Sequence, residues 1–219
     1  MGVAELVKEK NQLIIHAVIC CYGEAANDDI AKFIAADIAK FWNDAEGKVN
    51  LNNQTLEVRF DIEGIYKSDL TEIEVYENTN PRFNYFRIEE YAIGNISFVD
   101  GINSNTGYFK LENLLNNSST AAHEFGHTIG LEHPHDLDIR GKGTPGIMYP
   151  RGTWVDPYFQ YYPDVAPGEK GGTLNPFTRK VLQKDIDDLH LGNLHFNDRG
   201  FAVLGGFSSV WHEKQLPDR

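Results

Sequence analysis

Cysteine is scarce in this sequence, since Cys20 and Cys21 are the only two among 219 residues. They are adjacent in an apolar, strand-like run, so their side chains point to opposite faces and form no disulfide framework. Positive charge is scarce as well: twenty Lys and Arg residues stand against thirty-two Asp and Glu, a formal net charge of −12. This balance argues against a nucleic-acid-binding protein and against binding to an anionic membrane.

Long hydrophobic runs are also missing. The apolar run near the start, LIIHAVICCY, has ten residues and is interrupted by His16. It is too short to span a bilayer, and residues 8–10 (Lys-Glu-Lys) make a poor basic region for a signal peptide. We therefore predict no membrane span. We expect a secreted or exported protein, whose signal has been removed or which leaves the cell by a route that needs none.

The composition that is present, 41% hydrophobic and 12% aromatic, is typical of a globular protein with one sizeable core. Hydrophobic spacing predicts the order strand, helix, several strands, helix, long loop, helix. The predicted strands are residues 12–22, 55–65, 73–78, 92–100 and 106–111. The predicted helices are residues 28–46, 118–130 and 177–191. Residues 133–176, rich in Gly and Pro, are predicted to form no regular element.

Four of the eight histidines lie in one stretch, TAAHEFGHTIGLEHPHD, residues 120–136. On a helix, His123 and His127 project from the same face, at a separation that lets two imidazoles share one tetrahedral zinc ion. Gly130 lets the chain turn out of the helix, so His133 can return to the metal from another direction. Three neutral nitrogen ligands leave the fourth position open for water, whose pKa the zinc ion lowers.

Glu124, next to the first ligand, completes a hydrolytic site. It can accept a proton from the zinc-bound water and deliver it to a leaving amine. A structural zinc ion needs no such base, so the pattern H-E-x-x-H-x-x-G-x-x-H indicates catalysis rather than scaffolding.

Other polar residues near the pattern have weaker claims to a role. We expect His135 to contact one of the metal-ligating side chains, or solvent, rather than the metal itself. Asp136 and Asp138 raise the question of calcium, but no calcium-binding motif supports it. The remaining histidines lack a partner at ligand spacing and are predicted to be structural: His16, His190, His195 and His212.

The pattern resembles that of the metzincin clan of zinc endopeptidases, whose motif is followed by a methionine-containing turn under the metal. Here residues 146–150, Gly-Ile-Met-Tyr-Pro, match that turn with Met148. Met148-Tyr149-Pro150 and the later LQKDIDDLHLG look like matrixins, the matrix metalloproteinase family, whereas Pro134 is the residue seen in serralysins. The sequence departs from both families. It lacks the glycine-rich calcium repeats and the metal-approaching tyrosine of serralysins, since Pro150 stands where that tyrosine would be. It also lacks the matrixin pro-segment and second zinc loop.

The resemblance implies a metzincin zincin fold of the α+β class: a twisted, mostly parallel sheet with one antiparallel edge strand, an active-site helix and a C-terminal helix. It divides the chain into a catalytic domain at 1–192, with its zinc motif at 123–133, and a C-terminal extension at 193–219 packed on the same domain. The implied partner is a protein or peptide substrate, bound by a monomer and lying extended along the edge Gly94–Asp100. Because Cys20 and Cys21 lie inside the first predicted strand, we expect no cysteine-based latency.

The predicted function is therefore a zinc endopeptidase. The alternatives are a metal-dependent amidase on a narrow non-protein target and a catalytically silent binding module. In metzincins the chain after the methionine turn walls a specificity pocket, which here falls on the aromatic stretch 151–176. The candidate substrate-binding residues are Tyr149, Tyr158, Phe159, Tyr161 and Tyr162. The competing interpretation is that these rings merely cover the core.

Overall fold

The computed structural model describes residues 1–217 and shows a mixed α/β protein. Its strands are β1 (Gly2–Val7), β2 (Gln12–Tyr22), β3 (Lys48–Leu51), β4 (Gln54–Tyr66), β5 (Phe83–Glu89), β6 (Phe98–Val99), β7 (Thr106–Lys110) and β8 (Phe201–Leu204). Its helices are α1 (Asp28–Asn43), α2 (Glu72–Tyr76), α3 (Thr120–Thr128) and α4 (Gln183–Asp188). None of the helices within these residues is long and apolar enough to cross a membrane.

One curled sheet organises the protein, in the order β3-β4-β2-β5-β7-β6. The four central strands β4, β2, β5 and β7 run parallel to one another, whereas β3 and β6 pair antiparallel at the two ends. Off this path, β1 pairs antiparallel with both β2 and β8. The prediction of a mostly parallel sheet is confirmed, but the prediction of a single antiparallel edge strand is wrong.

Helix α1 covers the face of the sheet on which the main core lies. Asn27 caps its first turn by accepting a hydrogen bond from the Ile30 N–H at 2.9 Å. The buried side chains recur at helical spacing, and Trp42 at the end of the helix is completely buried. The Trp42 indole N–H donates to the Ala122 carbonyl at 3.1 Å, so α1 fixes the position of α3.

The strand predicted at residues 73–78 is wrong, because this segment forms α2. Its start carries a capping box, in which the Thr71 hydroxyl accepts from the Glu74 N–H and the Glu74 carboxylate accepts from the Thr71 N–H. The strand predicted at residues 92–100 shrinks to β6. Gly94 and Asn95 adopt left-handed backbone conformations with φ of 68° and 56°, which an extended strand does not allow.

Two other differences concern strands that hydrophobic alternation does not reveal. Strand β5 lies between β2 and β7 and is buried on both faces, so its sequence does not alternate. Strands β1 and β8 pair with each other, with Gly2 opposite Leu204, although they lie near opposite ends of the described chain.

The last helix is shorter than predicted. Helix α4 occupies only residues 183–188, because the backbone of Leu182 before it is extended.

Within residues 133–176 the structure shows one short 3₁₀ turn at Pro157–Phe159 and the first residue of another, Pro176–Thr178, and the prediction of an irregular segment is confirmed. The segment has its own small core, formed by Ile139, Val155 and Leu174. Isolated bridges join Asp138 to Trp154 and Gln160 to Leu174.

A stability prediction arises from Asp37 on α1, whose Oδ2 atom is buried without a hydrogen-bond partner within residues 1–217. Burial raises the pKa of Asp37 to about 6, with Lys40 opposing the shift. The protonated form is therefore favoured in the folded state, and its stabilising effect is lost as pH rises through about 6.

We expect Asp37→Asn to be more stable than the wild type by about 1 kcal/mol at pH 7, after allowance for partial solvent screening, and nearly equal at pH 4. Urea unfolding at the two pH values measures the difference. Asp164→Asn, on an exposed loop, is the matched control and should change neither value. Equal stability of Asp37→Asn and wild type at pH 7 would contradict the prediction.

Candidate metal centre

Three histidine side chains converge at the C-terminal half of α3. His123 and His127 project from the helix, and His133 returns from the loop that follows it. The His133 Nε2 atom lies 3.1 Å from Nε2 of His123 and 3.1 Å from Nε2 of His127. Nitrogen ligands at about 2.0–2.1 Å from a tetrahedral zinc ion lie about 3.3 Å from one another, so this spacing fits a metal.

Backbone carbonyls set the orientation of two of the rings. His123 Nδ1 lies 2.7 Å from the Ile147 carbonyl, and His127 Nδ1 lies 2.7 Å from the Leu131 carbonyl. Because a carbonyl only accepts, both Nδ1 atoms carry the proton and both Nε2 atoms present a lone pair to the centre. Converging lone pairs repel one another unless a cation lies between them. The three-histidine group can therefore hold a metal ion.

The protonation state also suits metal binding. The pKa of each imidazole is lowered below the ordinary histidine value, chiefly by burial, and the Arg179 cation adds to the shift. Neutral imidazole is the form that ligates a metal. The rings therefore need not lose a proton to bind one at neutral pH.

Glycine at position 130 makes the turn that brings His133 back. Gly130 has φ of 112°, and a Cβ atom there would lie 2.8 Å from the Asn103 Oδ1 atom. The backbone conformation therefore disfavours any other residue, and the Asn103 side chain would have to move to admit a Cβ atom. The Leu131 N–H donates to the Gly126 carbonyl at 2.9 Å, which closes the end of the helix.

The Met148 side chain packs directly against Gly126 of α3. A Cβ atom at Gly126 would come within 2.3 Å of the Met148 sulfur, so this helix position must be glycine for the sulfur to pack there. The methionine-containing turn, residues 146–150, is held in place by the buried carboxylate of Asp185. This carboxylate accepts hydrogen bonds from the Ile147 N–H at 3.4 Å and from the Leu182 N–H at 2.7 Å. Burial raises the pKa of Asp185 to about 6.

Glu124 is buried beside the three histidines, with 8% of its surface exposed. Burial raises the pKa of its carboxyl to about 8, while the Arg179 and Arg151 cations and the Val99 amide oppose the shift. A metal ion on the neighbouring histidines would favour the ionised form further. The group is therefore suited to exchanging protons near neutral pH.

A cleft of about 450 Å³ opens onto the three histidines and Glu124. One wall is the segment 95–99, which contains β6, and the other includes Pro150, Arg151 and Arg179. Sequence patterns did not reveal Arg179, which lies 46 residues after His133. Its guanidinium contacts both the start of α3 and the methionine turn.

The five predicted substrate-binding aromatic residues lie outside the lining of this cleft. Tyr149 borders a different cavity, and Phe159 packs with it against the small core of the long loop. Tyr158 and Tyr162 are exposed, at 82% and 63%. Tyr161 lines a neighbouring pocket that shares Arg151 with the cleft.

The other polar residues near the sequence pattern lie apart from the three-histidine group. His135 is exposed and is not part of the three-histidine group. Asp136 and Asp138 form ion pairs with Lys142 and Arg140. His16 contacts Glu5 and Asp61, and His212 contacts Asp100.

Comparison of the chain with protein-family models and with curated proteins gives no match.

Proposed function

We propose that the protein is a zinc endopeptidase of the metzincin type. The observation that carries this proposal is the buried Glu124 carboxylate, which shares one cleft with three converging imidazoles. A site that only binds a metal for stability has no use for a buried carboxylate beside the ligands. In this proposal the ligands are His123, His127 and His133, with Met148 beneath them.

A bound zinc ion supplies Lewis acidity, which polarises a peptide carbonyl and acidifies water. Glu124 provides the proton transfers: its carboxylate takes a proton from the attacking water and then delivers it to the leaving amine. The buried environment keeps this carboxyl's pKa near the range in which it can do both. As the peptide C–N bond breaks, the carbonyl carbon gains the hydroxyl group of the water and the leaving amine gains its proton.

The free edge of β6 offers a place for an extended substrate. Strand β6 ends the sheet and, among residues 1–217, pairs only with β7, and its segment 95–99 forms one wall of the cleft. A peptide that adds to this edge would place its backbone across the histidines and Glu124. This geometry favours cleavage within a chain, because an edge strand leaves both ends of the peptide free to extend.

Digestion of reduced casein by the zinc-loaded protein tests the proposal. We expect mass spectrometry to find cuts at internal peptide bonds, which stop when 1,10-phenanthroline is added and resume when zinc is restored. Hydrolysis of small amides without internal cleavage would favour the amidase alternative. Stoichiometric zinc without any hydrolysis would favour the binding module.

A further inference from the structure

Arg179 is a buried cation without an ion pair. Only 4% of its surface is exposed, yet within residues 1–217 no carboxylate forms a close ion pair with it, and Glu124 acts on it only at longer range. Arg87 shows the usual arrangement, since its guanidinium pairs with Glu89 at 2.7 Å. A buried charge is costly unless it has a partner of opposite charge. Arg179 therefore has an unmet capacity for an anion.

Hydrogen bonds fix the Arg179 guanidinium in one orientation. Its Nε–H donates to the Ser119 hydroxyl at 2.9 Å, and Nη1–H donates to the Tyr149 carbonyl at 3.0 Å. The Nη1 atom also lies 2.9 Å from His123 Nδ1, but this nitrogen already donates to Ile147 and cannot accept. The Nη2 atom has no hydrogen-bond partner among residues 1–217.

The surroundings of Arg179 favour a negatively charged ligand. Arg179 and Arg151 both line the cleft that holds the histidines, and Glu124 is the only carboxylate in its lining. Glu124 attracts Arg179 at longer range but forms no hydrogen bond or close ion pair with it among the described residues, so the Nη2 atom stays available to a ligand. The cleft lining therefore carries two arginine cations against one carboxylate, in a protein whose formal net charge is −12.

We propose that Arg179, with Arg151 beside it, binds the side-chain carboxylate of an Asp or Glu residue next to the cleaved peptide bond. This inference rests on the proposed endopeptidase function and narrows its substrate class. Arginine suits the role because its charge is permanent and its free Nη2 atom can donate charge-assisted hydrogen bonds to a carboxylate. A glutamine in the same place offers no charge, so the cleft should discriminate between the two.

Matched peptide pairs test the proposal. First, the zinc-loaded wild type is profiled on a library of proteome-derived peptides, and cleavage sites should be enriched in Asp or Glu at one position beside the cut. A peptide with Glu at that position is then compared with its Gln counterpart. We expect kcat/KM to be about 10- to 100-fold higher for the Glu peptide, as for other charged hydrogen bonds.

The variants separate recognition from support of the fold. Arg179→Met should bring the Glu-to-Gln ratio close to one, whereas Arg179→Lys should keep part of the preference because it keeps the charge. Arg140→Met, an exposed arginine away from the cleft, should leave the ratio unchanged. A purely structural role would lower both rates equally and preserve the ratio. If Arg179→Met does not fold, the wild-type and Arg179→Lys ratios still decide.

The outcomes distinguish this inference from the proposed function. Internal cleavage without any acidic preference would overturn the inference and leave the endopeptidase intact. A preference that Arg179→Met retains would also overturn it. A zinc-loaded wild type that cleaves no peptide would overturn both.

Discussion

Replacement of Glu124 by Gln is expected to lower the rate of peptide hydrolysis by about 10²–10⁴-fold while leaving metal binding intact. The substitution keeps the shape of the side chain but removes its ability to accept a proton. His123 and His127 do not depend on Glu124 for their orientation, because they are held by the Ile147 and Leu131 carbonyls. The loss should therefore be confined to catalysis.

Steady-state kinetics and metal analysis of the same samples measure this effect. Glu169→Gln, the same chemical change on an exposed loop, is the control and should retain full activity. Glu124→Gln should also melt no earlier than the wild type, because the substitution removes a buried carboxyl whose pKa is raised. Retention of more than about a tenth of the wild-type rate would mean that another group is the base.

Metal binding is expected to produce the largest change in stability. A ligand that binds only the folded state adds about 4 kcal/mol when its concentration is a thousand times its dissociation constant. We expect zinc to raise the unfolding midpoint of the metal-free wild type accordingly. His123→Ala should abolish this rise, because it removes one of the three converging nitrogens.

The increase with zinc is the informative quantity, because His123→Ala also leaves the Ile147 carbonyl without a side-chain donor and destabilises the protein by itself. His135→Ala is the matched control: it lies two residues beyond the last ligand and should keep the full increase. Thermal unfolding with and without zinc measures each variant. A rise that His123→Ala preserves, or that His135→Ala loses, would contradict the ligand assignment.

The convergence of the three histidines could be predicted from sequence because its geometry is local. His123 and His127 are one helical turn apart, and a single glycine turn brings His133 back, so eleven consecutive residues determine the arrangement. Helix α1 and strands β2 and β4 were predictable for a related reason, since each buries one face or one continuous run.

Arg179 could not be predicted in this way. It reaches the centre only because the chain returns to α3 after the long irregular segment, and no periodicity marks that return. The same holds for the pairing of β1 with β8, which depends on contacts between the two ends of the described chain. Residues 73–78 show the opposite case: the capping box at Thr71 and Glu74 was present in the sequence, but the β-branched residues suggested a strand.

The two adjacent cysteines of β2 lie in different layers of the protein. Cys21 belongs to the main core, whereas Cys20 packs with Tyr22, Val75 and Tyr85 on the other side of the sheet. Both are fully buried, and burial raises the pKa of Cys20 to about 12 and that of Cys21 further still. Thiol reagents, which need an accessible thiolate, should therefore modify neither in the native state. Each cysteine therefore reports the opening of a different layer. The order in which Cys20 and Cys21 are alkylated in mild denaturant shows which layer opens first.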